Sequence, residues 1–80
     1  MISEGEKARL QVGFKQAVRA LNEDKVEKVF LSEDCDSSIK DPIEVLCSEK
    51  NVALFYVPTM LELGRMCEIE VKASCAVILK

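Results

Sequence analysis

The sequence predicts one α/β domain spanning residues 1–80, a three-layer α/β/α sandwich around a small mixed sheet. Helix and strand signals alternate along the chain in the order α-α-β-α-β-α-β. Strands separated by helices favour a partly parallel sheet that helices cover on both faces. The composition, 49% hydrophobic and 31% charged, is that of a globular protein, and a chain of this length is sufficient for one small core.

Two helices are predicted to come first. Ser3 and Glu6 have the spacing of a capping box, which predicts a short helix that ends at about Leu10. A second helix follows Gly13, because four apolar residues recur at positions i, i+3, i+4 and i+7 and form one face. These residues are Phe14, Ala17, Val18 and Leu21.

Three apolar runs predict the strands, and helix signals lie between them. The runs cover residues 29–31, 52–57 and 73–79. Asp41 followed by Pro42 predicts the start of a helix that ends at Asn51, and Thr59 opens the last helix. We expect the core to contain Phe14, Val18, Leu21, Val29, Leu31, Leu46, Leu63, Val77 and Ile78.

The four cysteines are predicted to be free and mostly buried thiols. No pair has C-x-x-C spacing, and the chain has no histidine that could complete a zinc site. Disulfides are the alternative for an even count in a short chain, but they need a secretory context. The acidic, polar start of the sequence is not a signal-peptide pattern, so we expect a cytoplasmic protein.

Charge and residue usage exclude several classes of function. The net charge is −3, but residues 1–28 carry six basic and five acidic side chains whereas residues 29–80 carry five and nine. A polyanion would therefore meet the first third of the chain. Without histidine the usual neutral-pH base is missing, so we expect no enzyme. No apolar run is long enough to span a membrane.

An acidic cluster, Glu33, Asp34 and Asp36 around Cys35, follows the first predicted strand. Ligands often bind where strands of α/β sheets end, and carboxylates suit a hard cation. The alternative is that these residues form a turn and a helix cap. We expect the alternative, and we expect neither a metal nor a cofactor.

The start of the second helix is the best candidate for a binding site. Lys15, Gln16 and Arg19 lie on its outer face, and residues 11–13 include no side chain suited to cap it. Its first N–H groups then bond to water or to an anionic ligand. The alternative is that Gly13 is an adequate cap and the three side chains form an ordinary solvated face.

The segment that leads into the last strand has alternating apolar and charged residues. Ile69 and Val71 are separated by Glu70. The segment is either the beginning of a strand, a loop with two apolar anchors, or a surface that packs against an unstacked nucleic-acid base.

Four stretches in register resemble one family. Residues 13–21, which read Gly-Phe-Lys-Gln-Ala-Val-Arg-Ala-Leu, are similar to the signature of ribosomal proteins that bind kink-turn RNA. Residues 29–34, 61–67 and 73–78 resemble the same family, so that the resemblance extends from about Glu4 to Leu79. The pattern is most similar to the small bacterial members.

The resemblance implies an α/β/α sandwich that binds a kink-turn, a sharply bent RNA internal loop with sheared G·A pairs. It implies a cytoplasmic monomer whose partner is structured RNA, with ribosomal RNA as one candidate. The bend opens a major groove that is otherwise too narrow for side chains. The implied RNA-binding residues are Gly13, Phe14, Lys15, Gln16, Arg19, Glu33, Asp34, Ile69, Glu70, Val71, Lys72 and Ala73.

The chain differs from the family at two loop positions. Glu68 stands where a glycine usually follows the helix, and Lys72 where glycine or proline is usual. Glu68 and Glu70 add negative charge, which predicts weaker RNA binding. A domain of this fold used mainly for protein contacts is therefore the alternative function.

Overall fold

The computed structural model describes residues 2–80 and, within them, four helices that surround one four-stranded sheet. The elements are α1 (Glu4–Lys7), β1 (Leu10–Val12), α2 (Phe14–Asn22), β2 (Val26–Ser32), α3 (Ser37–Lys50), β3 (Ala53–Val57), α4 (Met60–Met66) and β4 (Cys75–Leu79). The strand order is β1-β4-β2-β3. β4 is antiparallel to both of its neighbours, and β2 is parallel to β3. The predicted sandwich with a mixed sheet is confirmed.

Each face of the sheet carries its own hydrophobic core. On one face, Val29 of β2 packs with Ala17 and Leu21 of α2 and with Ile43 of α3. On the other face, residues including Phe30 and Ile78 pack with Leu63 of α4. Consecutive residues of β2 therefore enter opposite cores, as the period of two in a strand requires.

Most of the predicted core is confirmed. Six of the predicted residues are fully buried: Leu21, Val29, Leu31, Leu63, Val77 and Ile78. Phe14, Val18 and Leu46 are instead partly buried and pack against the edge of the core from α2 and α3. All four cysteines are free and buried, and burial raises the pKa of the Cys47 and Cys75 thiols to about 11.

The sequence prediction was wrong at two element boundaries. The first helix ends at Lys7, and residues 10–12 form β1 because Leu10 and Val12 pair with the last strand. The third helix begins at Ser37 rather than at Asp41, with Asp36 as its N-cap. Pro42 lies inside this helix, near its exposed start, where the loss of one backbone hydrogen bond is tolerated. Within residues 2–80, no helix combines the length and the apolar character that crossing a membrane requires.

Candidate nucleic-acid interface

Backbone hydrogen bonds place most of the predicted binding residues along one end of the sheet, whereas Arg19, further along α2, lines a groove with Lys25 and Leu79. The Gly13 N–H donates to the carbonyl of Cys75 at 3.0 Å, and the Ser32 N–H donates to that of Ser74 at 2.9 Å. The start of α2, the segment before β4 and Glu33 after β2 therefore lie side by side. Since neighbouring strands are about 4.8 Å apart and β4 lies between them, the strands that lead to Gly13 and to Glu33 are about 10 Å apart.

Gly13 is the N-cap of α2 and has no side chain that could accept hydrogen bonds from the first N–H groups of the helix. This residue has φ +116°, and a Cβ there would lie 3.0 Å from Gln16 Oε1. No side chain of residues 2–80 caps the helix. The Ala17 N–H reaches the Gly13 carbonyl at 3.0 Å, so the N–H groups that precede it are available to a ligand.

The positively charged side chains of Lys15 and Arg19 form no ion pair with a carboxylate of residues 2–80. Both side chains are exposed. The same holds for Lys72 in the loop before β4. Five other bases are paired with carboxylates: Lys7, Arg9, Lys25, Lys28 and Lys50. Free cations therefore occur on this surface although the net charge is −3.

The loop of residues 68–73 is attached to α4 at both ends. Glu68 has φ +58°, and its N–H donates to the Arg65 carbonyl at 3.0 Å. The Ile69 N–H donates to the Gly64 carbonyl at 3.1 Å, and these two bonds form a Schellman motif. At the far end, the Ala73 N–H donates to a carbonyl in the first turn of α4, also at 3.1 Å.

Gly64 lets the middle of this loop touch the helix backbone. A Cβ at this position would lie 2.2 Å from the carbonyl oxygen of Val71. Ala73 is buried and Ile69 is half-buried against the core, whereas Glu70, Val71 and Lys72 are exposed. Val71 is 68% exposed. The loop therefore presents an apolar side chain to solvent while its backbone is anchored to α4.

The acidic cluster forms a turn and a helix cap, as the sequence predicted. Asp34 Oδ1 accepts a hydrogen bond from the Met60 N–H at 2.8 Å, so its carboxylate caps α4 rather than the helix that follows it in sequence. The Glu33 side chain is exposed, and its carbonyl accepts from Lys40 Nζ at 3.0 Å. Cys35 Sγ donates to the Ser32 carbonyl at 3.2 Å. Glu33 and Asp36 are therefore the members of the cluster that are exposed and whose carboxylates do not cap a helix.

Two residues of this region were missed by the sequence analysis. Gln11 of β1 lines an open groove with Gln16 and Arg19, so this amide extends the polar surface along α2. Residues 10–12 are too few to show a strand pattern, so the sequence carried no signal for the outward position of Gln11. Gly64 left no signal beyond its being a glycine inside a helix.

Comparison with known proteins identifies the family. Residues 4–80 match the ribosomal protein L7Ae/L30e/S12e/Gadd45 family. The chain belongs to this family. Among its relatives, the L7Ae-family chain is 42% identical over 69 residues to an RNA-binding protein of Geobacillus sp. strain WCH70, a match that covers 86% of this chain and 84% of the relative. It is 35% identical over 72 residues to the RNA-binding protein YbxF of Geobacillus stearothermophilus, covering 90% and 88%.

Solved structures agree with this L7Ae-family assignment. The Giardia lamblia 15.5kD RNA binding protein superposes with a TM-score of 0.75 at 28% identity, covering 91% of this chain and 62% of that one. A Bacillus halodurans protein of unknown function has the same fold, with a TM-score of 0.82 at 22% identity and coverage of 91% and 73%. The resemblance that the sequence suggested is confirmed.

Proposed function

We propose that this protein binds a kink-turn or a similarly bent structured RNA and catalyses no reaction. The proposal rests on one observation. Within residues 2–80, cationic side chains without ion pairs, N–H groups of α2 without hydrogen-bond partners and the loop of residues 68–73 lie close together at one end of the sheet. The relatives described as RNA-binding proteins support it, as does membership of the ribosomal protein L7Ae/L30e/S12e/Gadd45 family. They favour RNA over the alternative use of the fold for protein contacts.

Each group on this surface has a distinct task in the proposed complex. The N–H groups at the start of α2 and the Lys15 ammonium attract phosphate oxygens. Gln16 is neutral, so its amide recognises base edges, whereas Arg19 neutralises the backbone. Val71 offers an apolar surface on which an unstacked base can pack. We further propose that the RNA is part of a cytoplasmic ribonucleoprotein, with ribosomal RNA as the first candidate.

A filter-binding titration tests the proposal. The probe is a consensus kink-turn RNA, and its control replaces the tandem sheared G·A pairs with Watson–Crick pairs. We expect at least about tenfold tighter binding to the kinked RNA, which corresponds to about 1.4 kcal/mol. Equal affinity for the two RNAs would contradict recognition of the bend, and no binding to either would contradict RNA binding altogether.

Three variants separate the tasks of the side chains. Arg19→Ala should weaken binding to both RNAs because it removes a phosphate-neutralising charge, whereas Gln16→Ala should chiefly reduce the preference for the kinked RNA. Arg65→Ala is the matched control. Arg65 is exposed and without an ion pair in residues 2–80, like Arg19, but it belongs to α4 on the opposite face of the sheet. If Arg65→Ala weakened binding as much as Arg19→Ala, the proposed surface would be wrong.

A further inference from the structure

The strand β3 forms an edge of the sheet, and no strand of residues 2–80 pairs with its outer side. It pairs with β2 on one side, and β1, which leads into α2, forms the opposite edge. Its sequence, Ala-Leu-Phe-Tyr-Val, contains no charged residue and no proline, the usual devices that protect an edge strand. Phe55 and Tyr56 are large side chains, yet they are 48% and 46% exposed.

The free edge has unpaired backbone groups at known positions. The Val57 carbonyl accepts from the Glu33 N–H at 2.8 Å and therefore points towards β2. Backbone groups alternate in direction along a strand, so the N–H and C=O groups of Leu54 and Tyr56 point away from the sheet. These groups provide hydrogen-bonding positions for an added strand.

The two faces of this edge differ in chemistry. Phe55 lies on the α4 face, where its ring stacks at 5.7 Å from that of Phe30. Tyr56 lies on the α3 face, and its hydroxyl donates to the carboxylate of Glu44. The Glu44 bond, burial and the charges of Glu44 and Glu33 together raise the pKa of Tyr56 to about 12. One face of the edge therefore carries Phe55, and the other carries Tyr56 together with the Glu44 carboxylate.

We propose that β3 binds an extended segment of a partner protein in which apolar residues alternate with lysine or arginine. Such a segment adds a strand beside β3, with apolar side chains against Phe55 and a basic one against Glu44, because side chains on adjacent strands share faces. A second copy of this chain fits the edge less well. Two copies would bring carboxylates together, and each has a net charge of −3.

The proposal does not depend on RNA binding and is tested without RNA. The probe is an eight-residue peptide of alternating lysine and valine with blocked ends, and the control peptide has glutamate in place of lysine. Binding is followed through the backbone amide signals in NMR spectra of the full chain. We expect the lysine peptide to shift and protect the Leu54 and Tyr56 amides, and the glutamate peptide to leave them unchanged.

Three variants locate the contact. Phe55→Lys should abolish binding of the lysine peptide. Glu44→Gln, which keeps the size of the side chain, should weaken binding about two- to fivefold, the effect of one exposed charge pair. Glu49→Gln is its control, because Glu49 lies five residues on and about 140° round the same helix, and it should have no effect.

Each other outcome overturns the proposal. Failure of the lysine peptide to bind at millimolar concentration excludes a basic strand at this edge. Shifts confined to α2 show that the peptide binds elsewhere, and equal effects of Glu44→Gln and Glu49→Gln show that no local charge is recognised. If sedimentation equilibrium shows a dimer that Phe55→Lys dissociates, the occupant is a second copy of the chain.

Discussion

At the level of single residues, Glu68 occupies a backbone conformation that suits glycine. Its φ of +58° follows directly after α4, where the Schellman motif requires a left-handed residue. A side chain in this region costs about 1–2 kcal/mol. The carboxylate forms an ion pair with Lys7, but the Glu68 side chain is 62% exposed and such surface pairs contribute only about 0.2–1 kcal/mol.

Glu68→Gly should therefore stabilise the protein. We expect its free energy of unfolding, measured by urea denaturation, to rise by up to about 1 kcal/mol as strain is relieved and the weak ion pair is lost. RNA binding should also tighten, because an anion leaves the proposed interface. Glu70→Gly is the matched control, since Glu70 is exposed and has no positive φ. It removes the same charge, so it should tighten binding while lowering stability.

At the level of elements, the sequence predicted the helices and strands that are long enough to show a hydrophobic periodicity. It missed the element and the boundary that depend on tertiary contacts. The period of Ala17 and Leu21 predicted α2 and its buried face. The three residues of β1 were too few for a pattern, since they form a strand only by pairing with β4. Asp41 and Pro42 resembled a helix start, but the helix begins at Ser37, one turn earlier, where Ile39 packs against the core.

The candidate site shows the same division. The exposed face of α2 with Lys15 and Arg19 could be predicted because charges at helical spacing lie opposite an apolar face. The burial of Ala73 and the anchoring of Ile69 could not, because they depend on how the loop packs on α4. Gly64 decides that packing, and its contact with Val71 joins segments that no local pattern relates.

Gly64→Ala should displace this loop. The added Cβ would lie 2.2 Å from the Val71 carbonyl oxygen, so the loop backbone must move. The overpacking cost of about 1–3 kcal/mol exceeds the gain in helix propensity of about 1 kcal/mol. Urea denaturation should show a net loss of stability, and RNA titration should show weaker binding.

The control for this substitution is Gly5→Ala. Gly5 also lies in a helix, but no heavy atom is within 4 Å of its added Cβ. It should gain up to about 1 kcal/mol of stability and bind RNA as the parent does. Unchanged RNA binding in Gly64→Ala would mean that the loop position is irrelevant to recognition.

The short helix α1 is tied to the sheet by a charge pair. The Lys28 ammonium donates to the Glu6 carboxylate, and this bond, aided by the Ser3 N–H, lowers the pKa of Glu6 from 4.5 to about 2. Because the pKa of Glu6 is lower in the folded state than in the unfolded state, the ionised carboxylate stabilises the fold. This contribution is complete at pH values above the pKa of the unfolded state. That contribution is lost as the pH falls from 4.5 through 2.

Glu6→Gln should therefore reduce the loss of unfolding free energy that accompanies a fall in pH. Urea midpoints measured between pH 6 and pH 2 should fall less steeply in the variant, because one carboxylate no longer takes up a proton on unfolding. Glu4→Gln is the control, since Glu4 is in the same helix but makes no ion pair in residues 2–80. The assignment fails if both variants follow the parent curve.

At the level of the whole molecule, the charge distribution separates the two proposed surfaces. Lys15, Arg19 and Lys72 are free cations on α2 and on the loop before β4, whereas the Glu44 carboxylate lies beside the β3 edge. The net charge of −3 opposes non-specific attachment to nucleic acid, because such attachment comes from many phosphate contacts. Recognition must then depend on a few well-placed groups and on the shape of the RNA.

We therefore expect the RNA affinity to depend only weakly on salt concentration. Each phosphate contact contributes about −0.7 to −0.9 to the slope of log K against log salt. Three free cations then give a slope of about −2 to −3 in titrations at increasing potassium chloride. Arg19→Ala should make this slope shallower by about 0.7–0.9, the contribution of one phosphate contact, and Arg65→Ala should leave the slope unchanged. A slope steeper than about −5 would require phosphate contacts from bases that are paired with carboxylates in this structure, and the RNA would then have to break those pairs.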